Sequence, residues 1–242
     1  MRIFKLSISI WLLLFILLGA FVVRLYKLDN PVADWHSWRQ ADTAAVARNF
    51  YKEGYTPFVP IYDDMSIVSE LSFKPNLGRY RFVEFPIYNS LVYFGYVLNG
   101  GVDERIARLV SIFFSLGSLI FVYLISKRYA DTLTALFTAF FFGFLPYNIY
   151  FSRVILPEPS LVFFSLGIVY FVDRYIWDGR KHLFVLGLLF AIAAMLTKPY
   201  AIFYALPLVY SYLKRYKRIW PIPWQYIVFV ILALSYRDWE TR

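Results

Sequence analysis

Long apolar runs, each bounded by charged residues or prolines, constrain the fold of this chain more than any other feature. The first, near residues 7–26, reads SISIWLLLFILLGAFVVRLY, and the second, near 106–126, reads IARLVSIFFSLGSLIFVYLIS. A helix needs about 20 mainly apolar residues to cross the hydrocarbon core of a bilayer. Further runs lie near 132–151, 159–176, 183–197, 200–213 and 222–236. The sequence therefore predicts an all-α, polytopic transmembrane protein with about seven spans.

The composition agrees with a membrane protein and excludes several kinds of chemistry. Hydrophobic residues make up 60% of the 242 residues, against about 45–50% in soluble domains. The chain has no cysteine and two histidines, which excludes disulfides, thiolate chemistry and an all-histidine metal site. The net charge of +9 comes from basic residues between apolar runs, so membrane topology explains it better than a nucleic-acid partner does.

The positions of the basic residues predict the orientation. Arg2 and Lys5 precede the first run, and other basic residues follow the second, fourth and sixth runs: Lys127, Arg128, Arg174, Arg180, Lys181, Lys214, Arg215, Lys217 and Arg218. Positive charges concentrate on the cytoplasmic side, so we expect a cytoplasmic N-terminus and an external 27–104 segment. The first run has no small-residue cleavage site after it, which favours an uncleaved anchor.

The 27–104 segment is predicted to hold two helices lying along the membrane. From Asp42, TAAVARNFYKEG has alanines and aromatics at helical spacing and ends on Gly54. The stretch FPIYNSLVYFGYVLNGG has Pro86 near its first turn and ends at Gly100, and it is too short to span. The residues between them read as loop.

Ionisable residues gather on the predicted outer side. The first group lies in ADWHSWRQADTAAVARNF (33–50) and comprises Asp34, His36, Arg39, Asp42 and Arg48. Glu84 lies later in the external 27–104 segment, and Glu158 and Lys198 lie near outer ends of spans. Ionisable groups at membrane depth are costly and often functional, so we expect a shared cavity. Structural roles remain open for three of them: a helix N-cap for Asp42, a first-turn acid for Glu158 and a snorkelling side chain for Lys198.

The order of several motifs resembles the membrane half of the GT-C glycosyltransferases of the protein O-mannosyltransferase and aminoarabinose transferase superfamily (glycosyltransferase family 39-like). The motifs are a helix ending in A-R-N, the passage from EFPIYNSLVYF to DERIARLVS, the R-x-x-x-P-E-P pattern and LTKPYAIFYALPL. Glu84, Pro86 and Tyr88 are similar to the family's E-x-P-x-x-Y element, allowing one residue of slack. Glu158 matches the acid at the outer end of the fourth span, and Lys198 matches the lysine of the L-T-K-G passage.

This resemblance implies a GT-C-like transmembrane domain over 1–242 that transfers a sugar from a polyprenyl-phosphate donor, with 27–104 as the external catalytic loop. It implies a carboxylate of that loop as general base, here Asp42 or Asp34, since the acceptor hydroxyl must lose a proton. It also implies basic groups for the departing phosphate, here Arg39, Arg48 and Lys198. His36, Glu84 and Glu158 would complete the site.

The chain departs from the family pattern at several points. The family's D-E pair, nine residues before the A-R of the helix, falls on Arg39 and Gln40, and Phe85 stands where a lysine is common. Related enzymes can hold a divalent metal near the E-x-P element, for which Glu84 and His36 are the candidates. Family members usually have eleven or more spans, so we expect this chain to be truncated at its C-terminus.

Two other functions fit the same features. A transporter or flippase for polyprenyl-linked sugars would need a similar outer cavity, although no internal repeat is visible. A non-catalytic membrane subunit could use the outer charges as interface groups. No glycine-rich nucleotide loop is present, and no retention signal is visible. The expected location is therefore a bacterial or archaeal plasma membrane, with the bilayer and an unidentified acceptor as partners.

Overall fold

The computed structural model describes residues 8–32, 34–66 and 75–217. Its α-helices, in chain order, are α1 (Ile8–Arg24), α2 (Ser37–Glu53), α3 (Ile87–Asn99), α4 (Glu104–Tyr129), α5 (Thr132–Phe144), α6 (Pro146–Phe151), α7 (Glu158–Asp178), α8 (Lys181–Thr197) and α9 (Leu206–Tyr216). Within the described ranges extended pairing is confined to isolated bridges such as Ile61 with Tyr80. The all-α class is thereby confirmed.

Among the described residues, two helices are long and apolar enough to cross a membrane, namely α4 with 26 residues and α7 with 21. Three shorter apolar helices, α1, α5 and α8, accompany them. These apolar helices agree with the predicted membrane protein, while the predicted number of about seven spans is not confirmed. The seventh predicted span near 222–236, and the basic residues Arg2, Lys5 and Arg218, lie outside the described residues.

Two predicted spans are interrupted where prolines occur. The run near 132–151 divides at Leu145 into α5 and α6, because Pro146 disfavours a helical conformation in the residue before it, and Leu145 is extended with φ −60° and ψ 126°. The run near 200–213 begins as a 3₁₀ helix, Pro199–Ala205, and continues as α9. Neither run is one continuous α-helix, so the prediction of single helices was wrong here.

The helix α7 forms the centre of the packing between α4 and α8. Glycines allow close approach: a methyl group at Gly167 would meet the Phe190 ring at 2.0 Å, and one at Gly117 would meet the Phe163 ring at 2.5 Å. Phe121 packs edge to face on Phe190. Large aromatic rings therefore fill the spaces that the glycines leave, and this packing fixes where the first turn of α7 lies.

The helix α2 begins earlier than predicted. It starts at Ser37, with His36 before it in a left-handed conformation at φ 59°, so Asp42 lies in the second turn. The alternative that Asp42 is the N-cap, and the assumption that it opens the helix, were therefore wrong. The predicted end at Gly54 is confirmed.

The helix α3 follows its prediction and anchors the 27–104 segment. It ends before Gly100, which takes φ 72°. The Tyr88 hydroxyl donates to the Ala107 carbonyl at 2.8 Å, and the Asn89 amide donates to the Thr43 carbonyl at 2.7 Å. These bonds fasten α3 to α4 and to α2, so α2 is held over the helical bundle.

Candidate active site

Four charged side chains from four separate segments meet at one end of the bundle. Arg39 belongs to α2, Glu84 precedes α3, Glu158 begins α7 and Lys198 follows α8. The Arg39 Nη2 atom lies 3.4 Å from Glu84 Oε2 and 3.6 Å from Glu158 Oε1, and Lys198 Nζ lies 2.7 Å from Glu158 Oε1. We call these four residues the charge cluster.

Backbone structure holds each member of the cluster in place. The Phe85 amide donates to the Leu196 carbonyl at 3.0 Å, which brings Glu84 beside the end of α8. Lys198 is the first residue after α8, in an extended conformation. Glu158 occupies the first turn of α7 after Pro157, where the helix dipole favours a negative charge.

Burial decides the electrostatic state of the cluster. The Glu84 side chain is 7% exposed, and this burial raises the pKa of Glu84, against the opposing effects of Arg39, Lys198 and Arg81. Two cations face two carboxylates, so the cluster is neutral when both acids are ionised. It becomes positive when Glu84 takes up a proton, and it can then accept an anion such as a phosphate.

A second ion pair adjoins the charge cluster. Arg81 Nη1 donates to Asp42 Oδ2 at 3.0 Å, and the Arg81 side chain is 9% exposed. Burial raises the pKa of Asp42, while Arg81 and, more weakly, Arg39 act in the opposite direction. A carboxylate whose pKa is raised by burial and which lies beside cations has the properties of a general base.

A cavity of about 390 Å³ opens beside the cluster. His36, Arg39 and Glu158 line one part of it, whereas much of the remaining wall is apolar and aromatic: Phe142, Phe151, Leu156, Pro159 and Val162. The Ser115 and Ser118 side chains of α4 also line it. The cavity therefore offers charged and apolar surface together, as a ligand with a charged head and an apolar chain requires.

The Asp34 carboxylate is tied to a different set of partners from Asp42. The Gln40 side-chain amide donates to Asp34 Oδ1 at 2.6 Å and to the Trp35 carbonyl at 2.9 Å. The Gln40 oxygen accepts from the Ile155 amide at 3.1 Å. Asp34 therefore belongs to a network that joins the start of α2 to the segment before α7.

Arg48 lies apart from the other phosphate candidates. It forms an ion pair with Asp63, and it is nine residues from Arg39 on the same helix. Nine residues correspond to about 13.5 Å of rise and half a turn beyond two full turns. The structure thus brings Arg39 and Lys198 to the same cluster and leaves Arg48 on another face of α2.

The metal site suggested for Glu84 and His36 stays a prediction. Across residues 8–32, 34–66 and 75–217, no group of three or more histidine, aspartate or glutamate side chains could hold a metal ion. Glu84 contacts Arg39, whereas the His36 ring packs edge to face against Trp35. A cation is therefore already the neighbour of Glu84.

Arg81 has no place among the sequence-predicted site residues. It lies in a stretch without helical or alternating periodicity, and its contact with Asp42 spans 39 residues of chain. Gln40 stands among the polar residues of 33–50, but no local pattern indicates that its side chain is fully buried. Only the tertiary fold shows these two contacts.

Comparison with known protein families finds a match from the start of α3 onward. The family model of the dolichyl-phosphate-mannose-protein mannosyltransferases matches residues 86–236, which is more than half of the chain. No curated protein matches the sequence. The match covers Glu158 and Lys198, whereas Arg39, Asp42 and Glu84 precede it.

Proposed function

The chain belongs to the dolichyl-phosphate-mannose-protein mannosyltransferase family, and from this premise we propose that it transfers a sugar from a polyprenyl-phosphate donor to an acceptor hydroxyl. The family supports a membrane glycosyltransferase in general. The site of transfer in this proposal is the charge cluster with the adjoining Asp42.

The observation that carries the proposal is the charge cluster at the edge of a partly apolar cavity. Arg39 and Lys198 are the cations that would bind the donor phosphate, and arginine's planar fork suits phosphate oxygens. The apolar wall near Phe142, Leu156 and Val162 would receive the first part of the prenyl chain. His36 and Glu158 would border the sugar between them.

The proposed reaction is a substitution at the anomeric carbon of the sugar. The bond from that carbon to the phosphate oxygen breaks, and the polyprenyl phosphate leaves with the electron pair. A bond forms between the acceptor oxygen and the same carbon, while the acceptor proton passes to a carboxylate. Arg39 and Lys198 would stabilise the charge that develops on the leaving phosphate.

We assign the base to Asp42, with Asp34 as the alternative. Asp42 lies within the electrostatic influence of Arg39, and burial raises its pKa, which makes its carboxylate a stronger base. Asp34 already accepts a hydrogen bond from buried Gln40, which suits a supporting role. Arg48, paired with Asp63, has no part in this assignment.

The proposal includes the setting of the reaction. Basic residues in the last turns of α4 and α9, and directly after α7, favour a cytoplasmic N-terminus, which would place 27–104 and the charge cluster on the outer side. The membrane would be the plasma membrane of a bacterium or archaeon, crossed several times. The sugar and the acceptor are left open.

The test is transfer of radiolabelled sugar from polyprenyl-phosphate donors into membrane material. Membranes would carry the original chain, Asp34→Asn, Asp42→Asn or Glu158→Gln at equal expression, with Arg48→Gln as the matched control. We expect transfer by the original chain and by the control, and a loss of about 10²-fold or more in Asp42→Asn. Labelled donor that crosses vesicles without transfer would instead indicate a transporter, and transfer equal to empty membranes in all cases would overturn the proposal.

A further inference from the structure

Arg81 lies in an irregular segment, and contacts of its backbone and of its side chain hold it there. Its backbone amide donates to the Pro60 carbonyl at 2.9 Å, beside the bridge between Ile61 and Tyr80. Its guanidinium carbon lies 5.1 Å from the centre of the Tyr62 ring, a cation–π distance. Backbone pairing and stacking on Tyr62 therefore hold the guanidinium independently of its ion pair with α2.

Among the described residues, the guanidinium forms its ion pair with Asp42. Arg81 Nη1 contacts Asp42 Oδ2 at 3.0 Å. Nη2 of Arg81 is buried and finds no hydrogen-bond partner among the described residues. An arginine placed only to stabilise a loop would be expected to satisfy both nitrogens or to expose them to water. Its placement serves the Asp42 carboxylate, while Nη2 stays unpaired within the described part of the chain.

The groups around Asp42 explain why it needs such a partner. Burial and the negative charge of Asp64 both disfavour the ionised carboxylate, whereas Arg81 and Arg39 favour it, and Arg81 is the stronger of the two. Arg39 is also shared with Glu84 and Glu158. When Arg39 turns to a bound phosphate, Arg81 is the cation that remains for Asp42.

We propose that Arg81 is a positioning residue of the transfer reaction, which holds the Asp42 carboxylate ionised and oriented with Oδ1 toward the acceptor hydroxyl. The inference rests on the proposed function, because it assumes that Asp42 is the base. Arg81 touches neither donor nor acceptor in this role. It acts through the ion pair on Oδ2, which leaves Oδ1 for the proton.

The first test is the pH dependence of sugar transfer by the full chain in membranes. In Arg81→Gln the carboxylate loses its main stabilising charge, so we expect the acidic limb of kcat/KM to move to higher pH. At a pH one unit below the new midpoint, transfer by Arg81→Gln should be roughly tenfold lower than transfer by the same variant on its alkaline plateau. Arg81→Lys keeps the positive charge and should return the limb close to its original position.

The matched control is Arg79→Gln, two residues away in the same segment. Arg79 forms ion pairs with Glu53 and Asp63, so its loss disturbs this segment without touching Asp42. We expect its acidic limb to stay where the original chain has it. A limb that moves equally in Arg79→Gln and Arg81→Gln, or in neither, would overturn the proposal, since Arg81 would then be only structural.

A second measurement follows the carboxyl group without any transfer. Infrared difference spectra of the purified full chain, with Asp42→Asn as the reference, report the C=O band of protonated Asp42 against pH. The band should appear at higher pH in Arg81→Gln than in the original chain or in Arg81→Lys. An unmoved band overturns the role of Arg81. If the band is displaced but the original chain shows no transfer, the proposed function is overturned. The stabilisation of ionised Asp42 by Arg81 is then still supported.

Discussion

Lys198 Nζ lies 2.7 Å from Glu158 Oε1, although 40 positions separate the two residues in the chain. The contact joins the residue after α8 to the first turn of α7. The Glu158 side chain is 36% exposed, and ion pairs exposed to this extent add little to stability. We therefore expect the ion pair to position the Lys198 cation beside the cavity more than to stabilise the fold.

Lys198→Gln should therefore weaken donor binding more than it weakens folding. A charge-assisted hydrogen bond to phosphate contributes about 1.5–3 kcal/mol, so we expect the KM for the polyprenyl-phosphate donor to rise by about tenfold or more. Initial rates against donor concentration measure this change. Lys214→Gln, a lysine of α9 remote from the cluster, is the control, and an equal rise in both variants would contradict the role of Lys198.

Arg39→Gln and Arg48→Gln should differ sharply, although both arginines belong to α2. Arg39 contacts Glu84 and Glu158, whereas Arg48 contacts Asp63. We expect the donor KM to rise by about tenfold in Arg39→Gln and to change less than about twofold in Arg48→Gln. Initial rates against donor concentration measure the two KM values. Similar increases in the two variants would restore Arg48 as a phosphate ligand.

The buried Glu84 predicts a pH dependence of stability. Burial raises its pKa above the ordinary value of 4.5, so the folded protein keeps this proton at pH values where the unfolded chain has lost it. Its contribution to stability is complete below the unfolded pKa and disappears as the pH rises through the folded pKa. Glu84→Gln cannot titrate, so its melting temperature relative to the original chain should increase over that window. A difference that stays constant with pH would contradict this expectation.

Sequence patterns predicted the parts of the fold that depend on neighbours along the chain. The end of α2 at Gly54 and of α3 at Gly100 followed from glycine's tolerance of positive φ, and the apolar runs marked α1, α4, α7 and α8. The division at Leu145 was missed because an apolar run was weighted above Pro146. The periodicity of a helix could already have separated Arg39 from Arg48, since nine residues point them to opposite faces.

The site was predictable only where membrane sidedness groups residues together. Glu84 was expected on the outer side because it lies in the external 27–104 segment, and Glu158 and Lys198 because they lie at outer ends of predicted spans. The structure brings them together with Arg39. The pairing of Asp42 with Arg81 has no such signal, since it joins a helix to an irregular segment across 39 residues. Contacts of this kind depend on packing that no local pattern encodes.

At the other end of α7, Asp173 is expected to stabilise the fold without a role in transfer. Its buried carboxylate accepts from Arg128, Tyr129 and Ser211, which joins α4, α7 and α9. Asp173→Asn leaves Arg128 without its counter-ion, and removing one partner of a buried pair costs about 3 kcal/mol. Thermal unfolding in detergent should show the loss.

The control for this change is Asp178→Asn on the same helix. Asp178 pairs with Arg174 one turn away on the surface, an arrangement that contributes about 0.5 kcal/mol or less. We expect its melting temperature to stay close to that of the original chain. Transfer per folded molecule should be unchanged in both variants, and a specific loss of activity in Asp173→Asn would assign that residue to the reaction.

Substitutions of Gln40 can distinguish the effect of a lost hydrogen bond from the effect of an added charge beside Asp34. Its buried amide donates to Asp34, and its oxygen accepts from the Ile155 amide. Gln40→Glu keeps the acceptor for Ile155 but places a second carboxyl group where the amide lay 2.6 Å from Asp34 Oδ1. Two carboxylates that close cannot both be ionised, so the pair must share a proton and its pKa rises. Compared with the original chain at the same pH, Gln40→Glu should therefore be near normal in stability and activity at low pH and fall behind as the pH rises. Gln40→Met should lose about 1–3 kcal/mol of unfolding free energy at every pH. Melting temperatures and transfer rates from pH 4 to 8 measure the changes in both variants. If the pH profiles of Gln40→Glu and Gln40→Met run parallel, Asp34 carries no charge in this network.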